Sequence, residues 1–97
     1  MMEQLCKVEI FGTVGVCEEN VVCGNRVVRM SVAVNNDFSG HVVTDWYRLV
    51  WWPDKNDTRI FGRGDSIHAE GRIAQIKYAK ADGSEGVSYE IKVRKIW

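Results

Sequence analysis

Residues 44–54 of the chain read TDWYRLVWWPD and carry four aromatic side chains within seven positions. Three of the four tryptophans of the protein lie here. Side chains on a β-strand alternate between its two faces, so a strand in this stretch separates them into two sets. One set is apolar apart from a phenol: Tyr47, Leu49 and Trp51. The other set places an arginine between indoles: Trp46, Arg48, Val50 and Trp52.

The apolar set is the better candidate for a core, because a core has no partner for the arginine of the other set. We therefore expect Trp46, Arg48 and Trp52 to point outward on one concave surface. Exposed indoles stack on nucleobases of any identity for about 1–3 kcal/mol each, and arginine pairs with phosphates. Exposed aromatic residues equally suit an oligomer interface or a surface beneath a loop, and the pattern leaves those alternatives open.

The same period of two recurs along most of the chain. It appears in residues 7–15, in residues 26–36 and in two long runs joined by a glycine-rich tip within residues 66–96. Gly12 and Gly71 fall inside strand patterns, as glycines do where a barrel bends sharply. We predict an all-β fold, a five-stranded Greek-key OB barrel with a long hairpin of the fourth and fifth strands. An SH3-like barrel is the alternative.

Three segments are predicted to be connections because they are rich in polar residues and glycine. They are residues 16–25, with a turn at 23–25, residues 36–45, and residues 52–65. The only proline, Pro53, and two glycines in the third segment leave room for at most a short helix between the third and fourth strands.

Length and charge limit the possible functions. Ninety-seven residues suit one domain, residues 1–97, with no C-terminal tail. The formal net charge is zero, so any phosphate-binding charge has to be local. Three cysteines without a secretory signal favour reduced thiols, and no apolar run reaches the roughly 18 residues of a membrane span. We expect a soluble cytoplasmic protein without a membrane partner.

The sequence gives little support for an enzyme. His41 and His68 lie in different elements, with no recognisable nucleophile motif nearby. It contains no phosphate-binding loop, dinucleotide fingerprint or metal-ligand spacing. We therefore predict no catalytic activity, cofactor, metal or small-molecule substrate.

The C-terminal hairpin adds local positive charge. The segment from Ala69 to Trp97 has six basic residues against four acidic ones. Arg72 and Tyr78 share the predicted outward register of the fourth strand, and Lys77 and Lys80 flank the tyrosine. An ordinary solvated hairpin would explain the lysines alone, whereas a tyrosine between two of them points towards a ligand.

Over residues 7–96 the chain resembles the bacterial and mitochondrial type of single-stranded DNA-binding protein, which has an OB fold. DWYRLVWW at 45–52 resembles the Trp-His-Arg-Val-Val strand of the family. GDSIHAEGRI at 64–73 resembles its Gly-x-x-Val-x-Ile-Glu-Gly-x-Leu strand. KVEIFGTVG at 7–15 and DGSEGVSYEIKV at 82–93 resemble the opening strand and the closing hairpin.

The resemblance implies largely sequence-independent binding of single-stranded DNA, with RNA as the alternative, in replication, recombination or repair. Four positions correspond to the base-stacking aromatics of the family: Phe38, Trp46, Trp52 and Tyr78. Arg48 and Arg72 fall where phosphate or base-edge contacts are expected, and Lys77 and Lys80 would help to neutralise the backbone.

The resemblance also implies a homo-oligomer, a tetramer or a dimer, with contacts along the first strand at Lys7, Glu9 and Phe11. Two features depart from the family: residues 52–64 are shorter, and the tail that recruits replication and repair proteins is missing after Trp97. The alternative function is therefore a protein-interaction OB domain of a replication or primosome-type complex, with weak or no binding of single-stranded DNA.

Overall fold

A computed structural model describes residues 5–97, so residues 1–4 of the predicted domain lie outside the described residues. Five strands make up the fold: β1 (Val8–Val22), β2 (Asn25–Phe38), β3 (His41–Trp51), β4 (Ser66–Ala79) and β5 (Glu85–Ile96). They form a closed barrel in the order β1-β2-β3-β5-β4, with β4 returning to β1. Residues 5–97 contain no helix, and hence none long and apolar enough to cross a membrane.

The barrel closes through one short parallel contact. Residues 49–51 of β3 pair with residues 91–93 of β5, whereas all other neighbouring strands are antiparallel. The β2–β3 and β4–β5 hairpins each pair over eleven positions and continue, largely exposed, past this contact. We call these exposed ends the β2–β3 arm and the β4–β5 arm. The five strands and the long final hairpin confirm the predicted all-β barrel.

The core is built from one face of every strand. Leu49 and Trp51 are buried, and Tyr47 packs against the cluster from its edge, which confirms the predicted inward set of β3. Fully burying an aliphatic side chain of this size stabilises the fold by about 1.5–3 kcal/mol. The buried cluster consists of Ile10, Val14, Val28, Met30, Val32, Leu49, Trp51, Ile67, Ala69, Ile91 and Ile96.

Two of the predicted connections are in fact strands. β1 continues to Val22 and β2 continues to Phe38, so residues 16–22 and most of residues 36–45 belong to hairpins. The turns shrink to Cys23–Gly24 and Ser39–Gly40, in which all four residues have positive φ angles. Two central residues with positive φ are typical of the type I′ turn, whose twist matches that of the strands. The polar composition of these segments therefore reflects exposed arms and not loops.

The connection from β3 to β4 is held by side chains and not by a helix. The Arg26 guanidinium donates hydrogen bonds to the carbonyl oxygens of Asp57, at 2.6 Å, and Arg59, at 3.3 Å. The same guanidinium pairs with Glu19 of β1. Phe61 packs edge-on against Trp51, with ring centroids 5.7 Å apart, and so covers this end of the core.

The glycines predicted to mark bends lie where strands approach closely. A Cβ atom on Gly12 would lie 2.8 Å from Cγ1 of Val32, and one on Gly71 would lie 3.0 Å from Cα of Val93. Gly71 also adjoins a β-bulge, in which Arg94 is the extra residue of β5. A bulge bends and twists the strand that carries it, which here is β5 opposite Gly71, and the bend predicted at the two glycines themselves stays a prediction.

Candidate nucleic-acid interface

The outward set of β3 provides the centre of the candidate site. Trp46, Arg48 and Trp52 are exposed, as the alternation of β3 predicts. Val50 belongs to the same set but is buried. Its neighbours in the register are Arg29 of β2 and Lys92 of β5, whose long aliphatic stems can cover a small side chain between them.

Strands β5 and β4 continue this surface. Val50 is in register with Lys92, and Lys92 is in register with Arg72 of β4. Paired residues project to the same face of a sheet, so Arg72 lies on the same face as Trp46 and Arg48. Tyr78 lies on this face too, because it is six residues, an even number, further along β4. We call this surface the outer face. Four predicted contact residues lie on it by their register: Trp46, Arg48, Arg72 and Tyr78. Trp52 follows directly after β3 and is exposed.

Three further predicted contact residues lie elsewhere. Phe38 is the last residue of β2 and not part of a loop, and it shares the inward register of Val34. Lys77 projects to the side opposite Tyr78 and pairs with Glu85, at 3.7 Å. Lys80 follows β4 in the turn of the β4–β5 arm, and Lys77 lines a shallow cleft there together with Tyr78.

Trp46 lies against a glycine two strands away. Gly15 is the extra residue of a β-bulge in β1, and a Cβ atom there would lie 2.5 Å from Cζ3 of Trp46. Ser31 of the intervening β2 stabilises this bulge, because its Oγ accepts a hydrogen bond from the Val16 amide at 3.0 Å. The indole therefore spans β2 and rests on the backbone of β1. A ring seated in this way is oriented but remains exposed.

Tyr78 of β4 lies against a glycine of β5 in the same way. Its register partner is Gly86, where a Cβ atom would lie 2.7 Å from Cε2 of the tyrosine ring. The ring thus covers the glycine backbone across the β4–β5 pair. Two predicted stacking residues on different strands are therefore held against the sheet by glycines, and this is the strongest local evidence for a platform.

The cations of the outer face are largely unpaired. Within residues 5–97, neither Arg48 nor Arg72 makes a salt bridge, and the same holds for Arg94 at the β5 bulge. Lys92 is engaged with Glu90, at 2.7 Å. The arginines are consequently free to contact an anion, although the protein as a whole has no net charge.

Trp52 borders a polar cleft of about 340 Å³ that is also lined by three cations the sequence analysis had not selected, Arg59, Arg94 and Lys95. Asp57 faces the same cleft, and hydrogen bonds from Arg59 hold the pKa of that carboxyl below its usual value. Asp54 also lines the cleft, so phosphate binding here would depend on three cations outweighing two carboxylates. The sequence did contain a signal for Arg94: it follows the apolar Val93 in an alternating strand, which predicts that the arginine points outward.

Tyr89 is a further exposed aromatic residue that sequence reasoning missed. Its period places it with Ile91 in the inward set, but β5 has left the barrel at this point and the ring is 58% exposed. It borders a cleft of about 580 Å³ between the two arms, which we call the arm cleft. The cleft is lined by Val8, Trp46, Tyr47, Arg48, Ile73, Ser88, Tyr89, Glu90 and Ile91.

Of the predicted oligomer contacts along the first strand, two have charged partners within the chain and one is an exposed apolar ring. Lys7 pairs with Glu70 at 2.7 Å, which raises the pKa of the lysine and lowers that of the carboxyl. Glu9 contacts Nε2 of His68 at 2.5 Å. Phe11 lies beside the same imidazole, with centroids 5.2 Å apart, and stays largely exposed. Of these three residues, only Phe11 presents an apolar surface to solvent.

The described residues offer little for catalysis. Residues 5–97 contain no group of three histidine, cysteine or acidic side chains that could hold a metal ion. All three cysteines are free, and burial raises the pKa of the Cys17 thiol, which disfavours its nucleophilic thiolate form.

Comparison with known proteins agrees with the fold. The model of the single-strand binding protein family matches residues 5–97. The solved structure "Plasmodium falciparum SSB complex with ssDNA" is similar, with a TM-score of 0.80 and 22% sequence identity, over 95% of this chain and 88% of that one. This similarity confirms the OB barrel over the SH3-like alternative. No curated protein matches the sequence. Because the family match spans nearly the whole chain, the protein belongs to the single-strand binding protein family.

Proposed function

We propose that the protein binds single-stranded DNA without catalysis and largely independently of base sequence. The observation that carries the proposal is the outer face, where Trp46 and Tyr78 each lie against a glycine and stay exposed, and where Arg48 and Arg72 make no salt bridge within residues 5–97. A ring whose position is fixed loses little conformational entropy when a base stacks on it. Membership of the single-strand binding protein family and the similarity to a family structure solved with single-stranded DNA support this function.

Stacking supplies most of the affinity in this proposal. Each base on an aromatic ring contributes about 1–3 kcal/mol, whichever base it is. Arg48, Arg72 and Arg94 would then contact the phosphates between the stacked bases. The slope of log affinity against log salt for single strands is about −0.7 for each phosphate contact. A site with few cations should therefore weaken with salt more gently than a strongly basic one.

The biological setting follows as part of the same proposal. A protein that covers unpaired DNA without reading its sequence suits replication, recombination or repair. We also propose self-association, as a dimer or tetramer, through the β1 surface at Lys7, Glu9 and Phe11. The exposed Phe11 ring supports this, because exposed apolar side chains are typical of protein interfaces.

Titration with oligo-dT, followed by tryptophan fluorescence at a low and a high salt concentration, tests the proposal. We expect strong quenching at low salt, from Trp46 and Trp52, and weaker affinity at high salt. Trp51 is buried in the core and should keep its emission, so a Trp46→Phe/Trp52→Phe variant should lose most of the quenching.

The absence of quenching at low salt would overturn the stacking platform. If a Trp46→Ala/Trp52→Ala variant assembled poorly but bound oligo-dT like the wild type, the outer face would be a protein contact. The alternative of a protein-interaction domain would then replace the proposal.

A further inference from the structure

The arm cleft lies where β3 and β5 separate. The two strands pair only at residues 49–51 and 91–93, so residues 46–48 and 88–90 face each other without a ladder between them. The cavity of about 580 Å³ falls within the roughly 300–1,000 Å³ of pockets that hold small ligands. It is open to solvent beside the exposed Trp46, so a ligand lying on the outer face could enter it.

The lining of the arm cleft combines an apolar floor with a polar rim. Tyr47, Ile73 and Ile91 supply apolar surface, and the exposed ring of Tyr89 stands at its side. Arg48 approaches from β3 and Glu90 from β5, so a guanidinium and a carboxylate border the same opening. The cleft therefore combines an aromatic ring with one hydrogen-bond acceptor, Glu90, and one donor, Arg48. This combination suits a flat ligand that has both donors and acceptors on its edge.

Glu90 is held in place while keeping acceptor capacity. It accepts a hydrogen bond from Lys92 at 2.7 Å, and its side chain is mostly buried. An ionised carboxylate has about four lone-pair sites, so one bond from a lysine leaves acceptor positions for a ligand. Arg48 makes no salt bridge within residues 5–97 and can donate from its guanidinium.

We propose that the arm cleft is a base pocket that takes one unstacked nucleobase against Tyr89 and favours cytosine or guanine over thymine. This inference rests on the proposed binding of single-stranded DNA and adds to it a single position of base preference. Cytosine and guanine carry an amino group that donates to Glu90 and a carbonyl that accepts from Arg48. Carboxylates accept from the cytosine amino group and arginine donates to the guanine carbonyl in known base recognition. Thymine has no amino group, and its one edge donor, the N3–H, lies between two carbonyl oxygens that a carboxylate repels.

Two substitutions test the pocket, each with a matched control on β5. Glu90→Gln replaces a carboxylate, which can only accept hydrogen bonds, by an amide. The amide can rotate to present either its oxygen or its NH₂ group, so it can pair with cytosine or with thymine. Glu85→Gln removes the same charge outside the cleft. Tyr89→Ala removes the stacking ring, and Val87→Ala shortens an exposed side chain on the same face of the strand, outside the lining.

Affinities for oligo-dC and oligo-dT of equal length, measured at one salt concentration, provide the readout. We expect Glu90→Gln to lower the ratio of dC affinity to dT affinity about fivefold, and Glu85→Gln to leave that ratio unchanged. Tyr89→Ala should weaken binding of both oligonucleotides about tenfold, and Val87→Ala should not.

The outcomes separate this inference from the function on which it rests. If the wild type binds neither oligonucleotide, the proposed function fails. If it binds both but Glu90→Gln keeps the wild-type ratio, or Tyr89→Ala keeps the wild-type affinity, the base pocket is overturned and the outer face stands alone.

Discussion

Two exposed tryptophans of this barrel have similar accessibility but different surroundings. Trp46 on the outer face is 61% exposed and rests on the backbone at Gly15. Trp97, at the end of the chain, is 51% exposed and stacks on His68, with centroids 3.9 Å apart. The ammonium of Lys95 lies 4.4 Å from the centroid of the Trp97 ring. Trp46 has only sheet beneath it, whereas Trp97 already has a stacking partner and a cation.

If the protein binds single-stranded DNA as proposed, exposure alone should not identify its base-stacking residues. A base competes with whatever already covers the ring, and a ring engaged with an imidazole and an ammonium gains less from a new partner. A ring seated on glycine keeps its outward side available and its orientation fixed. We therefore propose DNA contact for the aromatics that lie against glycines, Trp46 and Tyr78, and a structural role for Trp97.

The strongest test compares the two tryptophans directly. Trp46→Ala should weaken oligo-dT binding about tenfold, because one stacked base is lost. Trp97→Ala is the matched control, since it removes the same side chain at similar exposure, and it should leave oligo-dT affinity unchanged. Fluorescence anisotropy of labelled oligo-dT measures both. Equal losses in the two variants would contradict the distinction between them.

A smaller effect is expected from the glycine seats. Gly15→Ala places a methyl group against the Trp46 ring, and Gly86→Ala does the same to Tyr78. Each ring has to move, so oligo-dT affinity should fall by less than in Trp46→Ala, and the emission of Trp46 should shift in the first variant.

Gly62→Ala is the control for this comparison. Gly62 has an ordinary φ angle, and an added Cβ atom would meet nothing closer than Asp65 Oδ2 at 4.0 Å. The control should bind like the wild type. Wild-type affinity and unchanged emission in Gly15→Ala would show that the seat does not position the ring.

The smallest effect is predicted at the ion pair of Lys7 and Glu70, where β4 pairs with β1. The pair lowers the pKa of the Glu70 carboxyl below its ordinary 4.5. Its contribution to stability is therefore present above pH 4.5 and is lost as the pH falls through the lowered pKa. Glu70→Gln should reduce Tm slightly at neutral pH and not at acid pH, without changing oligo-dT affinity. Thermal melts across this pH range check the prediction, which fails if the difference in Tm persists in acid.

Much of the fold could be predicted because strand alternation is a geometric property of the backbone. The split of β3 into Leu49 and Trp51 inside, with Trp46 and Arg48 outside, needs only a period of two and a barrel with one interior. The same reasoning misplaced Tyr89, because alternation gives the face of a strand but not the point at which the strand leaves the barrel. It also read polar residues 36–45 as a loop, although polar side chains suit an exposed arm equally well.

The sequence by itself determined the number of strands, the two faces of β3 and the residue types available for stacking, since these depend on local periodicity and side-chain chemistry. Tertiary structure alone decided which aromatics are supported and which cations meet them. The contact of Trp46 with Gly15 joins residues 31 positions apart across three strands, and Tyr89 and Arg48 line one cleft only because β3 and β5 diverge. Such contacts depend on register, bulges and barrel closure, which are fixed by the packing of the whole chain.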